Sequence, residues 1–288
     1  MTLWNLGSIN ADYIYRVPHI PAHGETLTSS GRQVFLGGKG ANISVAAARA
    51  GAHVRHVGAV GADGRWAVQR LLEYGVDTRQ IAEVETETCQ AMIFVDPDGE
   101  NTIILHPGAN MAIPPDVLDQ ALSQAETGDW LVMQNETCLQ AEAAALGKDM
   151  GLRIAYAAAP FEAARVQAVL DRLDFLTLNA VEADQLHRAT GLAPEALPVR
   201  DVIVTRGGDG ATWFGPDGPA HVAALPVTPV DTTGAGDTFT GYVLAGLDRG
   251  LPMKQAMAQA GRAAALMVTR AGTADVIPDL AEVQAFRG

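Results

Sequence analysis

The run Val230-Asp231-Thr232-Thr233-Gly234-Ala235-Gly236-Asp237-Thr238-Phe239-Thr240-Gly241 decides how the rest of the chain is read. An extended segment ends here, a turn of small residues follows, and a long helical pattern begins. Gly234, Ala235 and Gly236 have no bulk to keep a ligand off their backbone, and the first amides of a helix lack intrahelical partners. The turn therefore suits anionic oxygens and reads as a phosphate cradle. Asp237 stands at its edge, where a carboxylate can take the proton of a hydroxyl attacking a bound phosphorus atom. Cradle and base together imply phosphoryl transfer. Taken alone, a Gly-x-Gly-Asp turn is more often an ordinary helix cap, so the reading depends on what the remaining chain brings to it.

At 288 residues with 48% apolar content, the chain suffices for one large core, and no Ser/Gly/Pro-rich linker divides it. One domain over residues 1–288 is expected. The formal net charge of -13 argues against nucleic acid or an anionic membrane as partner, since such surfaces need clustered Lys and Arg. Cys89 and Cys138 lack metal-type spacing and read as free thiols in a reducing compartment. The start, Met1 to Gly7, has no basic region before an apolar core, and no apolar run approaches the roughly 20 residues of a membrane span. A cytoplasmic protein is expected. His23, His53, His56, His106 and His187 show no ligand spacing and read as ordinary core or surface histidines; Trp4, Trp66, Trp130 and Trp213 read as core or interface.

Beyond Gly108 the pattern is regular. Strands at 129–134, 152–158, 174–178 and 201–205 alternate with helices at 115–126, 139–150, 161–171 and 180–190. Such alternation means right-handed crossovers and a three-layer α/β fold: a doubly wound, mostly parallel sheet with helices on both faces. Strands at 2–9 and 54–60 join it, with helices at 43–50, 65–74, 236–249 and 252–269, a last helix from Asp279, and a hairpin of 211–214 with 221–225. The extended segments 13–36 and 88–107 fall outside the alternation and read as a small inserted β-sheet. That sheet suits a lid that excludes water during phosphate transfer, and its edges suit a homodimer contact.

A parallel sheet gathers its strand ends at one edge, where ligands bind. Asn10 and Asp12 are expected at the carboxyl end of the first strand, Glu136 after 129–134, Asn179 and Glu182 after 174–178, and Thr205 to Gly210 after 201–205. Gly37-Gly38-Lys39-Gly40-Ala41-Asn42 opens a helix but is no Walker A loop, because Gly40 follows Lys39. Lys39 and Asn42 read as ligands for a polyhydroxylated molecule, or else as a close helix-to-sheet contact with Lys39 in solvent. Asn179 and Glu182 are one helical turn apart and suit phosphate and hydrated magnesium, though each alone reads equally as a cap. A dinucleotide-dependent oxidoreductase is disfavoured, since the first strand leads to Asn10 and Asp12 instead of a Gly-x-Gly-x-x-Gly turn.

From Leu6 to about Pro278 the chain resembles the ribokinase-like carbohydrate kinases, the PfkB family. The resemblance is carried by Gly37 to Asn42, Asn179-x-x-Glu182 and Asp231 to Asp237, in the family's order and at about its spacings. Ser8-Ile9-Asn10-Ala11-Asp12 and Gly24-Glu25-Thr26 look most like the ribokinase branch. This implies transfer of the ATP γ-phosphate to the primary hydroxyl of a sugar, D-ribose going to ribose 5-phosphate. Another pentose, a ketohexose or a nucleoside is the alternative acceptor, and a catalytically silent sugar- or nucleotide-binding protein is the non-enzyme alternative. By position, the resemblance implies sugar contacts from Asn10, Asp12, Gly38, Lys39, Asn42, Glu136 and Asp237, with Asp237 as base and Gly234, Ala235 and Gly236 as anion hole. It implies nucleotide contacts from Asn179, Thr205, Gly207, Gly208, Gly210 and Gly236, and magnesium near Asn179 and Glu182. It also implies potassium at Asp231, Thr233 and the backbone around Met267, Arg270 and Gly272. The chain departs from the family at Val276, where Ser is common, at Gly261, where His often stands, and at Tyr156-Ala157-Ala158-Ala159-Pro160, where Asn-Pro-Ala-Pro is usual.

Overall fold

Trp130-Leu131-Val132-Met133-Gln134 is buried at every position, and its side chains alternate between two separate apolar clusters. A strand buried on both faces must lie inside a sheet covered on both sides. The computed structural model, which describes residues 1–287, shows that sheet. Its first half runs β1 (Thr2–Leu6), β2 (Asn10–Arg16), β3 (Gly31–Gly37), α1 (Lys39–Arg49), β4 (His53–Gly61), α2 (Arg65–Glu73), β5 (Asp77–Val84), β6 (Cys89–Val95) and β7 (Asn101–His106). Then come α3 (Pro115–Leu122), β8 (Trp130–Gln134), α4 (Gln140–Asp149), β9 (Arg153–Ala157), α5 (Ala163–Val169), β10 (Phe175–Asn179), α6 (Ala180–Thr190) and β11 (Asp201–Thr205). The chain finishes with β12 (Ala211–Gly215), β13 (Gly218–Val222), α7 (Ala235–Asp248), α8 (Met253–Met267) and α9 (Leu280–Ala285).

The main sheet has nine strands in the order β13-β12-β11-β10-β9-β8-β1-β4-β5, parallel from β11 to β5 and closed at one edge by the antiparallel β12–β13 hairpin. One apolar cluster packs α1, α7 and α8 onto it, and the other packs α3, α4, α5 and α6. The doubly wound reading holds. No helix among the described residues is long and apolar enough to cross a membrane.

The four-stranded second sheet, ordered β3-β2-β6-β7, is built from the two extended segments. β2 is one of its two inner strands, antiparallel to β3 and parallel to β6. This corrects the placement of Asn10 and Asp12: β1 ends at Leu6, and both residues open β2, because Asn10 already pairs with Gly37 and Cys89 in the second sheet. Three further corrections concern two helices and an edge. α1 begins at Lys39, four residues before the apolar run from Ile43, with Gly38 as its positive-φ N-cap. Residues 77–84, unassigned from the sequence, form the edge strand β5, whose Asp77-Thr78-Arg79-Gln80 start masks a parallel pairing with β4. α5 is also shorter than expected, ending at Val169 before a single tight turn to Arg172.

Candidate active site

The decisive run folds as its composition demands. Gly234 takes a left-handed conformation, φ 78°, that turns the chain into α7. Thr238 N donates to the Gly234 carbonyl, whereas the Gly236 and Asp237 amides have no backbone acceptor among the described residues. These are the free donors a phosphate oxygen needs. Asp237 sits in this first turn, buried, and its Oδ2 accepts a hydrogen bond from Asn42 Nδ2 at 2.9 Å. Asn42 reaches it because the first turn of α1 packs on α7, where Gly241 allows contact with the backbone of Ile43 and Ala47.

Around that pair the chain assembles a polar pocket. Glu136, after β8, accepts Ser8 Oγ at 2.6 Å and the Lys39 amide at 2.9 Å on one oxygen. The Lys39 ammonium feels Asp237, then Glu136, Glu182 and Asp12; these charges hold its pKa above the usual value despite burial. Asp12 is buried, and burial first, then the Glu136 charge, pushes its carboxyl up to about 7, with Lys39 opposing. A Cβ at Gly37 would overlap the Asp12 carboxylate, so a side chain there would displace that carboxylate. Asp12 Oδ1 and Asn42 Oδ1 are buried acceptors without a hydrogen-bond partner. Buried acceptors left open this way are matched by a ligand rich in hydroxyl donors.

One contributor escaped sequence reading. Asn110 is buried after Pro107-Gly108-Ala109, accepts the Ile9 amide at 2.9 Å and donates from Nδ2 to Asn10 Oδ1 at 2.8 Å. It thereby engages the Asn10 Oδ1 and leaves the side-chain nitrogen as the group of Asn10 open to a ligand. An Asn at the end of a glycine turn reads as loop chemistry, and nothing in its neighbours distinguishes it.

Beyond the Gly234 turn lies a groove of about 340 Å³ between the loop after β11 and the helices α7 and α8. Thr205, Gly207, Gly208, Gly210, Ala235 and Gly236 line it. Its apolar remainder, including Val227, Phe239, Met257 and Ala264, was not anticipated from the sequence. Gly261 also faces it, and a Cβ there would meet no atom within 4 Å. Asn179 does not line this groove. Its side chain caps α6, accepting the Glu182 amide at 2.8 Å, while Glu182 Oε2 accepts the Asn179 amide at 2.8 Å. Glu182 Oε1 stays free of that box, and burial holds the Glu182 carboxyl above its ordinary pKa. At the other side of the turn, the Asp231 carboxylate accepts the Thr233 amide at 2.9 Å and the Gly272 amide at 3.2 Å. The Val276 side chain packs against Gly272.

A pocket of hydroxyl-binding groups, a carboxylate and a turn of free amides leading to an apolar groove define an enzyme that phosphorylates a small polyhydroxylated acceptor. Comparison with known proteins agrees. A family model described as pfkB family carbohydrate kinase matches residues 3–280. A ribokinase of Haemophilus influenzae is 34% identical over 99% of this chain and 98% of its own length. A deoxyribokinase of Salmonella typhi is 30% identical over 98% and 97% of the two chains. The solved structure of an Arabidopsis thaliana ribokinase complexed with ribose and ATP is 27% identical, with a TM-score of 0.85 over 99% of this chain and 97% of that one. The chain belongs to the pfkB family of carbohydrate kinases, and its reaction is ATP-dependent phosphoryl transfer to an alcohol.

Proposed function

We propose that the acceptor is D-ribose and the product ribose 5-phosphate. The observation that carries this reading is the pair of unpartnered buried acceptors, Asp12 Oδ1 and Asn42 Oδ1, beside Asp237 and the open side of Glu136. Asp12, Asn42, Glu136 and the Asn10 amide hold the ring hydroxyls, with Gly38 and Lys39 closing the wall. In this reading the primary hydroxyl lies at Asp237. Asp237 takes the hydroxyl proton as its oxygen bonds to the γ-phosphorus, and the bond from that phosphorus to the bridging oxygen breaks to release ADP. Gly234, Ala235 and Gly236 bring their backbone to the charge that develops on the transferring group, and Lys39 adds a positive charge from the acceptor side.

Thr205, Gly207, Gly208 and Gly210 border the nucleotide in the apolar groove. Magnesium suits the site's chemistry, because a nucleotide-bound ion keeps most of its waters and needs few protein oxygens. Glu182 Oε1 and Asn179 would hold those waters, and the ion would neutralise phosphate charge. Potassium suits it less well. Asp231 and the carbonyl oxygens around Thr233, Met267, Arg270 and Gly272 are the right donors, but both Asp231 oxygens already accept backbone amides and Val276 presents only methyl groups. We also propose a homodimer through the lid, whose strand β7 leaves Ile103, Ile104 and Leu105 about half exposed, and a cytoplasmic location, where ATP and free sugars meet.

A relative named deoxyribokinase at comparable identity gives the second reading, 2-deoxyribose. ADP release across ribose, 2-deoxyribose, other pentoses, fructose and nucleosides decides between them. Ribose is expected to give the highest kcat/KM; a higher value for any other acceptor contradicts the proposal.

A further inference from the structure

Behind the acceptor pocket lies a buried polar chain whose direction its backbone partners fix. Asn5 Nδ2 donates to the Gly40 carbonyl at 2.8 Å, which orients that amide and leaves its Oδ1 to accept Gln134 Nε2 at 2.8 Å. The same Asn5 nitrogen donates to Ser44 Oγ at 2.8 Å, so the Ser44 hydrogen is free to point at His56 Nδ1, 2.9 Å away. His56 Nε2 stands 3.0 Å from the Gly7 carbonyl, an obligate acceptor, so that nitrogen carries the proton. Every side chain of this relay is buried: Gln134 on β8, Asn5 on β1, Ser44 on α1 and His56 on β4. Burial also pushes the His56 pKa down to about 4, which keeps the ring neutral, as the relay requires.

Both ends of the relay grip backbone that carries the pocket. A Cβ on Gly7 would lie 2.7 Å from Gly40 Cα, so the end of β1 and the first turn of α1 touch backbone to backbone. Across that contact Gly40 N donates to Ser8 Oγ at 3.0 Å and Ala41 N to the Ser8 carbonyl at 2.9 Å, while Ser8 holds Glu136. Gly58 leaves the room that the His56 ring needs, since a Cβ there would crowd Nε2 at 3.1 Å. An apolar core would pack these strands equally well but would not fix the height of the Gly7–Gly40 crossing, and directional bonds do.

We propose that His56 is a positioning residue for the acceptor side: through Ser44 and Asn5 it sets the crossing of Gly7 and Gly40, and with it the placement of Ser8, Lys39, Asn42 and Glu136. The groove for the nucleotide shares no residue with the relay, so the influence is one-sided. The catalytic consequence rests on the sugar-kinase reading; the structural one does not.

The test compares full-length His56→Phe, His56→Gln and Ser44→Ala with the wild type in two measurements. With the acceptor the wild type uses best, His56→Phe raises the acceptor KM about tenfold while the ATP KM stays within about twofold. His56→Gln, which retains a donor toward Gly7, recovers most of that loss. Ser44→Ala weakens acceptor binding alone but adds nothing to His56→Phe, as members of one relay must. Without any ligand, hydrogen exchange in segment 38–45 speeds up about tenfold in His56→Phe while β10 is unchanged. Equal changes in both KM values, or exchange rising uniformly through the molecule, would assign His56 to general stability and overturn the proposal. If the wild type phosphorylates no sugar, the function proposed above falls, and the exchange measurement still decides the role of His56. Should His56→Phe not fold, His56→Gln and Ser44→Ala carry both measurements.

Discussion

The two halves of the site are built from different materials. On the acceptor side, side chains do the work: Asp12, Asn42, Asp237 and Glu136 converge within the protein, and Asn110, Ser8 and the His56 relay hold them from behind. On the side proposed for the nucleotide, glycines and apolar groups form an open groove, and the polar contribution is largely backbone. A pocket that must tell one small hydroxylated molecule from another needs directional groups with fixed partners, because an unmatched buried hydroxyl is penalised. A groove for a flat, apolar-faced base needs shape and closeness to the helix terminus. In the proposed mechanism the chemistry belongs to the seam between them, at Gly234 to Asp237.

The largest effect expected from breaking this arrangement is on turnover. Asp237→Asn keeps the side-chain shape but removes the base, and kcat falls about a thousandfold; rates measured by ADP release check it. Next comes Gly37→Ala. Its methyl group overlaps the Asp12 carboxylate, and the acceptor KM rises about thirtyfold with the ATP KM unchanged.

A smaller effect follows from the Asp12 carboxyl, raised to about 7 from 3.8. A carboxyl with a raised native pKa contributes stability to the free protein that is full below 3.8 and is lost as pH rises through about 7. A sugar hydroxyl donating to the ionised form reverses the preference, so acceptor affinity increases as pH rises through about 7, and binding below it releases a proton. Calorimetry in buffers of different ionisation enthalpy measures that proton, and Asp12→Asn abolishes the slope. The smallest effect is on the other half. Gly261→Phe projects into the groove and raises the ATP KM about fivefold, leaving the acceptor KM alone. If Gly37→Ala and Gly261→Phe each shift both constants, the two halves are not separate.

The same difference in materials explains what was legible in the sequence. The main sheet was readable because apolar strands and helices alternate from Gly108 onward, and Asp237, Lys39, Asn42 and Glu136 announce themselves as polar residues at element ends. β5 was not, because an edge strand starting Asp77-Thr78-Arg79-Gln80 needs no apolar run. Asn10 and Asp12 were recognised as site residues but set on the wrong strand, since pairing partners for β2 lie in β3 and β6, distant in sequence. The groove around Val227, Phe239 and Met257 was hidden for a related reason: its residues are those of any core, and only their failure to meet across a gap makes them a site. His56 carried no signal, because a core histidine gains its meaning from Ser44 and Gly7.

We assign acceptor binding and proton removal to different groups, the first shared by the buried side chains and the second falling to Asp237. Calorimetric titration of ribose into the Asp237→Asn enzyme tests it most directly. One site per chain is expected, with affinity within about fivefold of the wild type, in a variant that no longer turns over. Undetectable ribose binding in a folded Asp237→Asn enzyme, or turnover at the wild-type rate, would contradict it.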